Sequence, residues 1–115
     1  MVNIDSTEFG SIVIDGKTYE SDVIVSYAGK IKEVRSESRH LISQKEFLEM
    51  IFERPEIIVI GTGVSGLMKI SPEVLRFAKE KNVKIVSMLT SQAIEKFNQL
   101  VQAGEKVVAY MHVTC

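Results

Sequence analysis

The second half of the chain alternates between strand-like apolar runs and helix-like segments, and this alternation limits the folds open to it. Ile57–Ile60 is a continuous apolar run, typical of a strand buried on both faces. Val83–Met88 and Val107–His112 have the same character, and each gap between runs can hold a helix. Strand–helix–strand connections are nearly always right-handed and join parallel strands. Residues 57–112 therefore predict three parallel strands at the centre of a sheet, with helices against it.

Three helices are predicted from capping residues and from apolar residues at helical spacing. Their expected starts are Ser43 with Glu46 in capping-box spacing, Ser71 followed by Pro72, and Thr90 or Ser91. The first helix is expected over residues 43–53, and Gly104 ends the third. The stripes expected to face the sheet are Phe47, Leu48, Ile51 and Phe52; then Val74, Leu75 and Ala78; then Ala93, Ile94, Phe97, Leu100 and Val101.

The front of the chain predicts antiparallel strands. Asp15-Gly16 lies between two short apolar segments, and this dipeptide favours a tight hairpin because glycine adopts positive φ at little cost. Asp22–Ser26 predicts a third strand and Lys30–Val34 a returning fourth, before a polar loop at Arg35–His40. The sequence thus predicts an α/β fold in one domain over residues 1–115. Its back half is a parallel β-α-β-α-β unit, and its N-terminal part forms antiparallel hairpin strands.

Composition excludes several classes of protein. A chain of 115 residues is the length of one domain, and its net charge of −1 gives no general attraction to nucleic acid or to an anionic membrane. No apolar stretch approaches the roughly 20 residues of a membrane helix, and the first ten residues do not resemble a secretory signal. One cysteine, Cys115, cannot form an internal disulfide. We therefore expect a cytoplasmic protein with no nucleic-acid or membrane partner.

The carboxyl ends of the predicted parallel strands are the first place to look for a site, because ligands of open α/β sheets bind there. The loops leaving these strands are Gly61–Ile70, Leu89–Ser91 and the tail His112–Cys115. The candidate binding residues in these segments are Gly61, Thr62, Gly63, Lys69, Thr90, Ser91 and His112.

The segment from Gly61 to Gly66 matches G-x-G-x-x-G, the pattern of dinucleotide-binding loops. In those loops the helix begins inside the motif, whereas here Ser71 begins it several residues later. The next strand, Val83–Met88, also brings no acidic residue for a ribose. We therefore expect no dinucleotide cofactor. A strand-end loop with positive φ at its glycines is favoured, and an anion nest aided by Lys69 is the alternative.

The remaining chemical residues form no complete catalytic or metal-binding pattern. His40, His112 and Cys115 lack the spacing of a zinc site, so no metal is expected. His40 is predicted to be solvated. His112 ends a core strand at the favoured edge, where a hydrogen-bonded structural role is favoured and an acid–base role is the alternative. Asn98 shares a helix face with apolar residues, which predicts a structural hydrogen bond that ties a neighbouring segment.

Several positions resemble a family of small α/β domains that includes the adipogenesis-associated protein of animals and the third assembly factor of mitochondrial complex I. The matching positions are Ile60-Gly-Thr-Gly63, Thr90, Ala93, Phe97-Asn98, Leu100, Gly104, Val108 and His112-Val-Thr-Cys115, with Phe9-Gly10, Gly16, Tyr19 and Asp22 in the front half. The resemblance implies a three-layer domain with a mixed sheet, a hairpin layer and flanking helices. Members of this family are mostly uncharacterised, and the mitochondrial relative acts as an assembly partner rather than in a defined reaction, so the resemblance implies the fold more closely than an activity. The proline and tryptophan of relatives are absent from residues 26–35, so partner identity does not follow.

Two hypotheses remain open. The first is a non-catalytic protein-interaction or assembly module, with Tyr27, Leu67 and Met68 expected in an exposed apolar patch. The second is a small-molecule or anion binder, or an enzyme, that uses a strand-end pocket with His112 pointing inward. The absence of a complete catalytic constellation favours the first. A homodimer is compatible with both, because unpaired strand edges favour association.

Overall fold

The central sheet of the computed structural model, which describes residues 1–35 and 40–115, has five strands in the order β5-β4-β10-β7-β9. Their bounds are β4 (Asp22–Ser26), β5 (Ile31–Val34), β7 (Ile57–Gly61), β9 (Lys84–Met88) and β10 (Val107–Met111). Strands β10, β7 and β9 are parallel, whereas β4 runs antiparallel to β10 and to β5. This confirms the mixed sheet, with one difference. The parallel strands occupy one side of the sheet rather than its centre, and β9 lies at an edge.

The hairpin layer is a three-stranded antiparallel sheet in the order β1-β2-β3. Its strands are β1 (Ile4–Glu8), β2 (Ser11–Ile14) and β3 (Lys17–Tyr19). Asp15 and Gly16 have φ values of 48° and 80°, which confirms the tight turn between β2 and β3. The sequence did not predict β1, because Ile4 is its only buried residue.

Three helices complete the fold: α1 (Gln44–Ile51), α2 (Pro72–Glu80) and α3 (Thr90–Gln102). The side chain of Glu46 accepts hydrogen bonds from the backbone N–H and hydroxyl of Ser43, as the capping-box spacing predicted. Two short strands, β6 (Leu41–Ile42) and β8 (Lys69–Ile70), pair in parallel beside the helices. The predicted loop at Arg35–His40 falls largely on residues 36–39, which lie outside the described residues.

Two hydrophobic cores lie on opposite faces of the central sheet. One joins the hairpin layer and α3 to the sheet, and the other joins α1 and α2 to it. Side chains of β10 alternate between them: Ala109 belongs to the first core, whereas Val108 and Tyr110 belong to the second. All five residues of β10 are buried. The structure therefore confirms a three-layer α/β domain built around this strand.

Three residues of the predicted helix stripes are exposed instead of buried. Leu48 and Phe52, in and directly after α1, are 54% and 78% exposed, and Leu75 of α2 is 49% exposed. The apolar stripe of these short helices is wider than the helix face that contacts the sheet, so residues at the sides of the stripe remain in solvent. Met68, expected in an exposed patch, is buried, and Tyr27 packs partly against the first core.

Candidate functional site

The tail after β10 runs along the loop that leaves β7, at the carboxyl ends of the parallel strands. The N–H of Val64 donates to the carbonyl of Thr114 at 2.8 Å, and that of Leu67 donates to Cys115 at 3.0 Å. The N–H of His112 donates to the carbonyl of Gly61 at 2.9 Å. These bonds bring the glycine loop and tail together, as parallel topology predicted, and the tail covers part of the loop.

Gly63 is required by this close approach. Its φ is +106°, and a Cβ atom built there would lie 2.3 Å from the carbonyl carbon of Cys115. Gly66 also has positive φ, whereas Gly61 does not. A Cβ at Gly61 would lie 2.8 Å from the sulfur of Met111 and the hydroxyl of Thr90. The spacing of the glycines thus reflects chain packing. The positive φ expected at the glycines of a strand-end loop is present at Gly63 and Gly66 but not at Gly61.

The predicted hydrogen-bond donors of this loop are used inside the chain. The N–H of Thr62 donates to the carbonyl of Met88, and the N–H of Gly63 donates at 2.9 Å to the hydroxyl of Thr90. That hydroxyl donates in turn to the carbonyl of His112 at 2.7 Å. Thr90 is buried and joins three segments. It is the first residue of α3, and the residue that caps this helix is Leu89 rather than Thr90 or Ser91. Ser91 is exposed on the first turn of α3.

His112 is buried and hydrogen-bonded through both ring nitrogens. Nδ1 lies 3.1 and 2.9 Å from the two carboxylate oxygens of Asp22, at the start of β4. Nε2 lies 3.2 Å from the hydroxyl of Thr114. A carboxylate only accepts hydrogen bonds, so Nδ1 donates to Asp22. In the neutral ring Nε2 then accepts from Thr114.

Asp22 is held by two further donors. The hydroxyl of Tyr110 donates to Oδ2 at 2.7 Å, and the N–H of Val113 donates to Oδ1 at 3.0 Å. Burial and then the negative charge of Asp22 raise the pKa of Tyr110 far above its ordinary value. The phenol therefore stays protonated and donates at all physiological pH values. The carboxylate is fixed in position for His112.

A cavity of about 460 Å³ opens beside this cluster. Its walls include Asp22, His112, Thr114, Cys115, His40 and Met68. The rings of His40 and His112 meet edge to face, with centroids 5.4 Å apart. His40 is half-buried with φ of +57°, which corrects the expectation of a solvated histidine.

The predicted site residues divide between two places rather than forming one pocket. Thr62 and Lys69 line a separate, more open cavity of about 740 Å³, next to Leu89 and Gln92 at the start of α3. His112 lines the 460 Å³ cavity. Asp22, Tyr110 and Thr114 were not predicted as site residues. The position of Asp22 follows from register alone, because Met111 pairs with Val23 across β10 and β4.

The described residues contain neither a cluster of metal-binding side chains nor a membrane-spanning helix. Within 1–35 and 40–115, no group of three histidine, cysteine or acidic side chains could hold a metal ion. In the same ranges, no helix has both the length and the apolar character needed to cross a bilayer.

The fold and site define a small three-layer α/β domain whose strand ends carry a pair between buried His112 and half-buried Asp22, and these strand ends are partly covered by the chain's own tail. The chain belongs to the family described as "Protein of unknown function (DUF498/DUF598)", whose model matches residues 4–112.

Solved structures with the same fold cover nearly the whole chain. A conserved hypothetical protein from Pyrococcus horikoshii OT3 has a TM-score of 0.89 at 24% identity, covering 98% of this chain and 99% of its own. A protein called MT938 has a TM-score of 0.83 at 28% identity, with both chains covered fully. A Mth938-like domain from Bordetella pertussis has a TM-score of 0.76 at 15% identity, covering 96% and 85%. The first and third likenesses concern the fold alone.

Proposed function

We propose that the chain is a protein-interaction module whose docking surface is a groove between α1 and β5. The observation that carries the proposal is the exposure of Leu48 and Phe52 at an apolar cavity of about 590 Å³. The two residues are four positions apart and share one side of α1. Large apolar side chains grouped at a cavity mark binding surfaces, whereas isolated ones are common on any protein.

The α1–β5 groove has an apolar floor and charged rims. Its floor includes Ile24 and Val108 of the central sheet and Met50 of α1, all buried in the second core. The rims hold Lys30 and Lys32 on the β5 side and Glu49 and Glu53 on the α1 side. Interface cores are typically apolar with polar rims, and this groove has that composition.

Two ion pairs join the rims and define the chemistry of a partner. Lys30 lies 2.9 Å from Glu53, and Lys32 lies 2.7 Å from Glu49. The lysines are exposed and the glutamates half-buried. Ion pairs near the surface contribute only about 0–1 kcal/mol, so a partner can displace them at small cost. The occupant we propose is an amphipathic helix of another protein. Its apolar stripe would meet Leu48 and Phe52, with acidic residues towards the lysines and basic residues towards the glutamates.

The resemblance in sequence to a family with an assembly factor also supports this function. That assembly factor serves a mitochondrial complex, and a protein of this kind acts by binding others. We extend to this chain only the mode of action, because residues 26–35, which include the lysine rim, lack the proline and tryptophan of the relatives.

The test is site-specific photocrosslinking in the cells that make the protein. A photoreactive phenylalanine analogue replaces Leu48 in one variant and Leu75 in a matched control. Leu75 is about equally exposed on α2 but lies outside the groove. We expect a covalent adduct with one other protein from position 48 and none from position 75. Phe52→Asp should then weaken binding of that purified partner about tenfold or more.

Other outcomes contradict the proposal. Equal adducts from both positions, or no adduct from position 48, would remove the groove as the docking surface. An adduct between two copies of this chain would make the occupant a second copy and the module a homodimer.

A second candidate function is the binding of a small molecule at the strand ends. The observation that favours it is the 460 Å³ cavity against His112 and Asp22. Native mass spectrometry of gently purified protein tests it. A small-molecule adduct that is lost in His112→Gln supports this function. A spectrum that shows only the mass of the bare chain contradicts it.

A further inference from the structure

We propose that Asp22, His112 and Thr114 form a nucleophilic triad in which the hydroxyl of Thr114 accepts an acyl group from a small, uncharged or cationic ester. The proposal rests on the second candidate function, since it requires a small molecule to enter the cavity, and it is independent of the α1–β5 groove.

The geometry has the three relations that define such a triad. A nucleophile contacts a base, the base contacts an orienting carboxylate, and the nucleophile borders a cavity. Here the hydroxyl of Thr114 lies 3.2 Å from Nε2 of His112, and Nδ1 lies 2.9 Å from Asp22. Thr114 is half-buried in the wall of the 460 Å³ cavity, so a ligand can reach it.

The proton arrangement is the one that activates a hydroxyl. Asp22 fixes the proton of the neutral imidazole on Nδ1, which leaves the lone pair of Nε2 towards Thr114. The donors Tyr110 and Val113 hold the carboxylate in place. His112 is only 6% exposed, so the attraction between its transient positive charge and Asp22 is weakly screened.

The reaction balances without any further reagent. The oxygen of Thr114 attacks the carbonyl carbon of the ester while Nε2 of His112 takes the hydroxyl proton. The carbon–oxygen bond to the leaving group then breaks, and the alcohol departs with that proton. Water repeats the sequence: it attacks the acyl–threonine, passes a proton through His112, and releases a carboxylic acid and the free hydroxyl.

The cavity limits the substrate. Apolar side chains of Val34 and Met68 line it together with Glu20 and Asp22. The acidic residues disfavour anionic acyl donors through like-charge repulsion. A volume of about 460 Å³ lies within the range of small-molecule sites.

The experiment uses p-nitrophenyl acetate on the full chain, with acetylated residues mapped by peptide mass spectrometry. All variants carry Cys115→Ser, because the neighbouring thiol is itself nucleophilic and lines the same cavity. We expect acetylation of Thr114, a drop of about 10²-fold or more in its rate in His112→Gln, and none in Thr114→Val. Exposed Thr18 on β3 is an internal reference for unassisted reactivity, and Thr18→Val should leave labelling of Thr114 unchanged.

Two results would overturn the triad. The first is acetylation of Thr114 at a rate no higher than that of Thr18. The second is an acetylation rate of Thr114 that is unchanged in His112→Gln, in a variant that circular dichroism shows to be folded. Acetanilide, an unreactive amide analogue of the ester, separates this failure from failure of the cavity. If acetanilide shifts the NMR signals of Thr114 and His112 but acetylation fails, the triad is wrong and the second candidate function stands. If neither occurs, both are wrong.

Discussion

At the scale of single residues, Gly63 has the least room for change. Gly63 has positive φ, and a side chain at this position would collide with the backbone of Cys115. The N–H of Gly63 also donates a hydrogen bond to the hydroxyl of Thr90. A glycine motif that resembles a nucleotide loop is here a point where two backbone segments touch. The sequence predicted that the loop and the tail lie at the same edge of the sheet, but not that their backbones touch, because that contact depends on the register of β7 with β10.

Gly63→Ala should lower the free energy of unfolding by about 3 kcal/mol or more, from backbone strain plus displacement of the tail. Gly104→Ala is the matched control. Gly104 has φ of +79° with nothing within 4 Å of the position that a Cβ would take, so only strain of about 1 kcal/mol applies. Urea unfolding of both variants measures the difference. Equal losses would show that close approach contributes nothing at Gly63.

Tyr110 gives a pH-dependent prediction. Burial and the charge of Asp22 raise the pKa of Tyr110 above its ordinary value of 10.0, so above that pH the unfolded chain loses a proton that the folded chain keeps. The free energy of unfolding should therefore fall by about 1.4 kcal/mol per pH unit above about pH 10 through this group. Tyr110→Phe should remove that part of the slope. An unchanged alkaline slope in the variant, measured by urea unfolding, would contradict the prediction.

His112 and Asp22 illustrate what sequence spacing can and cannot find. His112 is a candidate from sequence because it follows a predicted core strand at the favoured edge of the sheet. Asp22 lies 90 positions away along the chain, and no local spacing links them. Antiparallel pairing of β4 with β10 brings them together, and the residues near His112 in the sequence give no sign of this contact.

At the scale of elements, β1 depends on a side chain rather than on its own sequence. Oδ1 of Asn98 on α3 accepts from the N–H of Ile4, and Nδ2 donates to the Ile4 carbonyl, both at 2.9 Å. One carboxamide thus satisfies both backbone groups of Ile4. The structural role expected for Asn98 agrees with this contact, although its partner is a strand that the sequence did not predict. Strands β6 and β8 were also missed, since two residues show no periodicity.

Asn98→Ala should destabilise β1 more than the rest of the molecule. Two backbone groups lose their partners, each at a cost of about 1–3 kcal/mol when buried. Hydrogen exchange at the amides of Ile4 and Ile12 should accelerate more than exchange in β7. Gln99→Ala, at an exposed position on the same helix, is the control. Uniform acceleration across the sheet would mean that β1 has no separate opening.

Thr90 connects α3, the glycine loop and the tail through one hydroxyl. Thr90→Val keeps the shape but removes the acceptor for Gly63 and the donor to His112. We expect a loss of about 2–4 kcal/mol, because both partners are buried. Thr90→Ser should recover most of it. Thermal unfolding of the pair tests the contact, and equal stability of the valine and serine variants would contradict it.

At the scale of the whole molecule, the central sheet separates two cores that have no side chain in common among residues 1–35 and 40–115. The alternating residues of β10 serve both. The sequence predicted the helices and most of the strands that build these cores, but not β1 or β6, which contribute Ile4 and Ile42. It could not predict the order of the strands in the central sheet. The sequence placed β4 in the antiparallel front half, and nothing in its residues indicated that it pairs with β10 of the parallel back half.

The two cores should respond independently to small changes. Ile12→Val alters the core under α3, and Ile58→Val alters the core under α1 and α2; each should cost about 0.5–1.5 kcal/mol. The double variant should show the sum of the two losses within about 0.5 kcal/mol in urea unfolding. A larger interaction energy would mean that the sheet transmits packing changes between its faces.

Because β10 lies in the middle of the central sheet but comes last among its strands in sequence, the sheet can be completed only late in synthesis. Strand β4 leaves the ribosome paired only with β5, and its central neighbour β10 follows about 80 residues later. At about 5–20 residues per second, the inner edge of β4 waits roughly 4–16 s for its partner. That edge presents Val23, Ile24 and Val25 to solvent or to chaperones during synthesis. Slower synthesis between β9 and β10 would lengthen the interval in which this edge is unpaired.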